Sequence, residues 1–313
     1  MRITGNFMTS SVVSQLNLLA ARQARLQNQA SSGQRIQAPE DDPAAMGQAL
    51  TLQREESDAE QYASNIATLQ TRANAGYSAF QGLKPISDRA GEIATQADGT
   101  KSKSELQALG IEVQQMIQQA VELANSKDAS QYVFAGTKSD AAPYTVTTDA
   151  EGNVTSVAYQ GNTGQSQTEI MQDTSLSLDL PGENNTGSGP RGVFSDSRYG
   201  ADFFNHLISL QNHLLAGDAN GVQTVDAPAL AKDEDNLIFQ TASNGVLQTR
   251  LETAAANADA RKSFMRQTLT TVAGADLAQT LVELSQTQNA YQVAVQSSAK
   301  LLGLQQNLLD HLP

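Results

Sequence analysis

The chain has 313 residues and 33 Asp and Glu against 20 Lys and Arg, a formal net charge of −13. That balance argues against nucleic-acid binding, which concentrates Lys and Arg. With no Cys it cannot form disulfides, thiolates or Cys-ligated metal sites, and no apolar run approaches the roughly 18 residues of a membrane span.

The opening segment lacks the apolar region and cleavage site of a Sec signal peptide. The length leaves room for two domains. Aromatics make up 5% of the chain with no Trp, which suits long helices packed through small residues better than a large aromatic core.

Residues 9–30 repeat with alternating spacing of three and four: Thr9, Val12, Leu16, Leu19, Gln23, Leu26, Ala30. That spacing predicts a heptad helix. The next helical stretch runs over 43–98. After the break "ADGTKSKS" another covers 103–130, with Ser104 as the expected N-cap and Glu105 in its first turn. The middle changes character. "YTVTTDAEGNVTSVAY" alternates β-branched and aromatic residues about a turn and reads as a hairpin. "TEIMQDTSLSLDL" reads as one strand and "PGENNTGSGPRG" as a loop. A short helix follows over 200–216, then a long one over 232–273.

Residues 277–312 carry an unbroken heptad row: Leu277, Leu281, Leu284, Gln288, Tyr291, Val295, Ser298, Leu302, Gln305, Leu309, Leu312. The faces outside the two terminal seams are nearly free of charge. Glu283 and Lys300 are the only charged residues from 277 to 309, and Arg22 and Arg25 the only ones from 3 to 34. Exposed helices carry salt-bridging charges. A helix depleted of charge all round is buried or awaits burial. Copies of the same chain or related partners are the expected cover.

The fold class predicted is mainly α with a β-rich insert. Both ends of the chain build a discontinuous helical rod. Terminal assembly helices are expected at 1–40 and 276–313, a rod domain at 41–131 and 231–275, and an outer β domain at 132–230. Val12, Leu16, Leu19, Leu26, Leu277, Leu281, Leu284, Tyr291, Val295, Leu302 and Leu309 are the candidate assembly residues. Their seams are expected to stay poorly ordered in a single chain and to become helical on packing.

The stretch "SSGQRIQAPEDDPAA" places Glu40, Asp41 and Asp42 between two prolines. Three carboxylates can attract a hard cation, but no D-x-D-x-D-G pattern accompanies them. A helix joint explains them better. Gly33 ends the first helix in a left-handed conformation. Asp42 caps the next, Pro43 supplies its first turn, and Asp41 adds negative charge at the positive helix end.

Those residues carry a resemblance. "SSGQRIQAPEDDPAA" is similar to the flagellin superfamily signature, in which Ser-Gly follows the first helix and Asp-Asp opens the second. The C-terminal "DLAQTLVELSQTQNAYQVAVQSSAKLLGLQQNLLDHL" resembles that family's terminal helix. The forms "PEDDPAA" and "SQYVFAGTKSDAAPY" and the start "MRIT" resemble its hook-associated members more than filament flagellin. The resemblance covers 1–144 and 231–313 and leaves the segment between unmatched.

It implies a flagellin-like fold and a structural role at the hook–filament junction of an extracellular bacterial flagellum. The implied partners are other copies in a ring layer, another hook-associated protein on the hook side, flagellin on the filament side and an export chaperone. The implied route is the flagellar type III apparatus, without a cleaved signal. No nucleic acid, membrane insertion, metal or cofactor is implied.

The remaining motifs are weak. "GSGPRG" matches G-x-G-x-x-G as a string, but a polar loop precedes it and Pro190 interrupts it. His206 and His213 sit about 10 Å apart along a helix axis, too far to share an ion. With three His, no Cys and no convergent acid–base set, an enzyme is not expected. The alternatives are a filament-forming flagellin and, from another class, a coiled-coil module with a ligand pocket in its insert.

Overall fold

The computed structural model describes residues 2–129 and 131–309, with side chains from 10 to 300. Leu302 and Leu309 lie on described backbone, but their side chains fall outside the description, as do His311 and Leu312 entirely. Contacts divide the chain into two compact units. One joins residues 1–58 and 260–313, and the other is 59–259.

The helices are α1 (Arg2–Ser32), α2 (Pro43–Gln96) and α3 (Lys103–Ala124). Nine short strands follow: β1 (Lys127–Asp128), β2 (Gln131–Tyr132), β3 (Tyr144–Thr148), β4 (Val154–Tyr159), β5 (Thr168–Met171), β6 (Thr174–Leu176), β7 (Glu183–Asn184), β8 (Ser195–Asp196) and β9 (Ala201–Asp202). Then come α4 (Phe203–Ala216), the turn α5 (Ala219–Gly221), a π-helical turn (Val222–Asp226), α6 (Ala227–Ala273) and α7 (Leu277–Leu309). The fold is mainly helical with a β-rich insert, and α1 and α7 are both helical in the single chain. The two terminal helices pack on each other.

Three local expectations are corrected. Ser102, not Ser104, caps α3. Its hydroxyl accepts from Glu105 N at 3.3 Å, and Glu105 returns the bond to Ser102 N at 2.8 Å. This reciprocal pair satisfies two of the free N–H groups at the helix start, which Ser104 is placed too late to do. α3 ends at Ala124, where Asn125 turns its amide onto Tyr144, donating to its carbonyl and accepting from its N–H. The stretch 168–176 is a hairpin of β5 and β6 rather than one strand. Asp173 takes φ +58° at its turn, a left-handed conformation open to Asp.

The expected hairpin of β3 and β4 is antiparallel, with Tyr144 opposite Tyr159. β7 pairs parallel with β8, and β8 antiparallel with β9.

The 59–259 unit contains a core that the composition did not foreshadow. Phe80, Phe134, Tyr144, Phe194, Phe203 and Phe204 are all buried. Phe194 is central, with ring centroids 5.3 Å from Phe134, 5.3 Å from Tyr144 and 5.2 Å from Phe204. Scarce rings are concentrated here rather than spread out. Gly182 is required at the edge of this cluster, since a Cβ there would sit 2.3 Å from the Tyr144 hydroxyl. A second cluster joins Ile66, Leu69 and Ala73 to Ile170, Leu176, Leu178 and Leu251.

The two histidines of α4 do not face a common ligand. His206 Nδ1 lies 2.7 Å from Asp233, and His213 Nδ1 lies 2.7 Å from Asp226. Both carboxylates are buried, and Asp226 also accepts from the Ser209 hydroxyl. Burial by itself pulls the His206 pKa down. The Asp233 carboxylate more than offsets this, with help from Asp202 and Asp226, so the net shift is upward. These pairs tie α4 to the π-helical turn and to the first part of α6.

Candidate assembly surface and helix joint

The joint sits in the unit formed by the chain ends. α1 stops at Ser32, and Gly33 follows with φ +70°. Its N–H still donates to Gln29 O at 2.9 Å, so the last turn closes on a left-handed residue. The chain then pairs with the segment that follows α6. Arg35 N donates to Ala273 O at 2.7 Å, and Ala275 N donates to Gly33 O at 2.9 Å. Ile36 is buried with Ala49 and Ala273, against Ala45, Met46 and Leu269.

The three carboxylates diverge. Asp41 Oδ2 turns back, accepting from Gln37 N at 3.0 Å and Ala38 N at 3.1 Å. Those two bonds, with Arg25 and Arg35 nearby, hold its carboxyl below the usual range. Asp42 points forward. Its Oδ1 accepts from Ala45 N at 3.0 Å, and Pro43 opens α2. Glu40 is exposed. Among the described residues no three His, Cys, Asp or Glu could hold a metal ion. The acids act as helix and loop caps. Asp42→Ala should therefore lower unfolding free energy by about 1 kcal/mol, and Asp42→Asn, which still accepts the bond, by less. Urea titration of the three proteins measures this.

α1 and α7 pack together, but not through the whole expected row. On α1, Val12, Leu16 and Leu19 are half-buried and Leu26 is buried. On α7 the less exposed positions are Thr280, Leu284, Thr287, Tyr291, Ala294 and Ser298. Leu284 and Tyr291 belong to the expected seam, whereas Leu277, Leu281 and Val295 are exposed. Small side chains take the inward places of the larger ones. Thr280 and Thr287 can do so because each hydroxyl donates to the carbonyl four residues back, leaving no unsatisfied donor, as does that of Ser298 in the expected row.

Asp276, which the sequence reading passed over, caps α7. Its Oδ1 accepts from Ala278 N and Gln279 N. Arg22 of α1 reaches Glu283 of α7 at 3.3 Å. The bond from the Gln279 amide, and then that from Arg22, holds the Glu283 carboxyl low.

The packing leaves apolar surface open. Leu18 is 70% exposed and Val293 62%, with Val13, Leu277, Leu281, Val282 and Val295 also exposed. Isolated exposed apolar residues are ordinary, but a set along two paired and nearly chargeless helices forms a surface suited to partners. Among the described residues no helix is long and apolar enough to cross a membrane.

Residues missed in the sequence are Ile36, Gly274 and Asp276. A Cβ on Gly274 would lie 2.2 Å from Thr270 O, so the return strand needs glycine there. "GAD" before the heptad row was a usable signal for Asp276 as a cap. Ile36 offered only a lone apolar residue among polar ones.

Residues 3–139 match the bacterial flagellin N-terminal helical region. Flagellar hook-associated protein 3 of Salmonella typhimurium is 27% identical over 255 residues, covering 80% of this chain and 78% of that protein. The Escherichia coli protein of the same name is 25% identical over 234 residues, covering 72% and 70%. The crystal structure of FlgL from Xanthomonas campestris matches with a TM-score of 0.57 at 18% identity, covering 70% of this chain and 99% of that one. At that identity the likeness is one of fold. The chain therefore has a flagellin-like fold, a segment over residues 3–139 that matches the flagellin N-terminal helical region, and a similarity that runs to flagellar hook-associated protein 3.

Proposed function

We propose that the chain is a structural component of the bacterial flagellum, an adaptor at the hook–filament junction that assembles through its terminal helices. The observation that carries this is the apolar, nearly chargeless surface that α1 and α7 leave open after packing on each other. Of the candidate residues, Leu277, Leu281 and Val295 lie on that open surface and meet the neighbours, whereas Val12, Leu16, Leu19, Leu26, Leu284 and Tyr291 hold α1 and α7 together; Leu302 and Leu309 are proposed for the same assembly row. Gly33, Asp41, Asp42 and Pro43 set the angle between terminal helix and rod. The partners are copies of the chain in a ring layer, another hook-associated protein on the hook side and flagellin on the filament side. Export proceeds through the flagellar apparatus with a chaperone and without signal cleavage. The role is mechanical, with no catalytic step.

Adding the purified chain to isolated hooks that carry the preceding hook-associated protein tests this reading. The expected product in electron micrographs is a short layer that stops growing. Long filaments grown from the chain alone would make it a filament flagellin instead.

A further inference from the structure

The 59–259 unit carries a cation prepared for a ligand that the chain itself does not supply. The Arg191 guanidinium lies between two rings, with its central carbon 3.6 Å from the Tyr199 centroid and 4.1 Å from that of Phe239. Arg191 Nε donates to Asn236 Oδ1 at 2.6 Å. Asn236 is 1% exposed and donates in turn to Gly192 O and Val193 O. Gln240 Nε2 holds the Arg191 carbonyl at 3.1 Å. The guanidinium is thus restrained by two rings and by its Nε bond. Its two Nη groups have no hydrogen-bond or ion-pair partner among the described residues. The neighbouring Arg198 differs, being committed to Asp196, Gly189 O and Pro190 O.

A free Nη edge on a fixed plane is the geometry that takes a carboxylate through two parallel bonds. Its surroundings are those of a binding centre. Tyr199 is 49% exposed and Phe239 46%, so both rings remain accessible to a partner. Next to Phe239, exposed Ile238 borders a groove of about 490 Å³ lined also by Phe80, Pro85 and Ala242. Arginine and aromatic side chains at the centre of a patch are what binding energy concentrates on.

We propose that the Arg191–Tyr199–Phe239 patch docks a second copy of this chain, receiving one of its carboxylates and an adjacent apolar side chain. The proposal rests on the junction reading above, in which copies stand side by side in a ring. Charge complementarity selects the occupant. With 33 acidic residues against 20 basic ones, carboxylates are the charged groups a neighbouring copy offers most. The β5–β6 hairpin is one surface with the right pairing, since Glu169, Met171 and Asp173 are all exposed there. Such a contact joins different patches of the two copies, the arrangement that closes into rings.

Photocrosslinking in detached flagella tests this, using cells that lack the native chain and express the Phe239→p-benzoylphenylalanine variant. The expected result is a covalent dimer whose linked peptides both come from this chain. In the same background Arg191→Glu should lower dimer yield about tenfold, and Arg191→Lys, which keeps charge but not the planar fork, by less. Melting curves of each purified variant separate lost docking from lost folding. Crosslinks to a different flagellar protein, or no crosslink in flagella that contain the variant, would overturn the proposal. If the crosslinker-bearing chain is absent from flagella although it folds and is secreted, the junction reading falls first and takes this proposal with it.

Discussion

Deleting residues 1–33 and 276–313 should abolish entry of the chain into flagella while leaving the 59–259 unit folded. That unit keeps its buried clusters, one around Phe80, Phe134, Phe194 and Leu207 and one around Ile66, Leu69 and Leu251, and among the described residues none of α1 or α7 takes part in either. The deletion removes the open apolar faces and the helices that bear them. Their large exposed side chains belong to no core in the single chain, so monomer stability loses little by comparison. Circular dichroism should show less helix than the full chain, by up to the 31 residues of α1 and the 33 of α7. The melting transition of the remaining unit should persist. Filament attachment in cells lacking the native chain is the decisive readout, and restoration by the trimmed protein would refute assembly through the termini.

The second large effect is on stability. Phe194→Ala should cost about 3–5 kcal/mol, the range for emptying an aromatic site in a packed core. Phe194 is 1% exposed and touches rings from three separated segments, Phe134, Tyr144 and the Phe203–Phe204 pair. Those rings are held by α4, β3 and the loop between β2 and β3, so the cavity cannot close by the shift of one element. Edge-on and tilted contacts add to the loss beyond area alone. Phe194→Leu, which refills most of the volume, should cost much less. Urea denaturation followed by circular dichroism measures both, and a loss under 1 kcal/mol for the alanine variant would contradict the central place given to this ring.

Part of the architecture was legible because its causes are local. Gly33, Asp42 and Pro43 act within one turn of where they stand, and their roles follow from backbone geometry. The Ser102–Glu105 box was equally local, and the S-x-x-E spacing was present to be read; choosing Ser104 overlooked the reciprocal partner. The β3–β4 hairpin announced itself through alternation about a Gly-containing turn. The β5–β6 hairpin did not, because Asp173 makes its left-handed turn without a glycine. The heptad rows located α1 and α7, but Thr280, Thr287 and Ala294 turn inward where Leu281 and Val295 were expected to lead, while Leu284, Gln288 and Tyr291 of the expected row are half-buried.

By itself, then, the sequence determined where α1 stops and α2 starts, that the two terminal helices are short of charge, and that a β-rich segment interrupts the helical chain. These depend on residues a few places apart. Only the tertiary structure decided which row of α7 faces α1, that Ile36 closes the joint against Ala49 and Ala273, and that rings from positions 80, 134, 144, 194 and 204 share one core. Each of those outcomes balances the burial of many distant groups at once. Small hydroxyl residues satisfied by their own helix can then win an inward place over larger apolar ones.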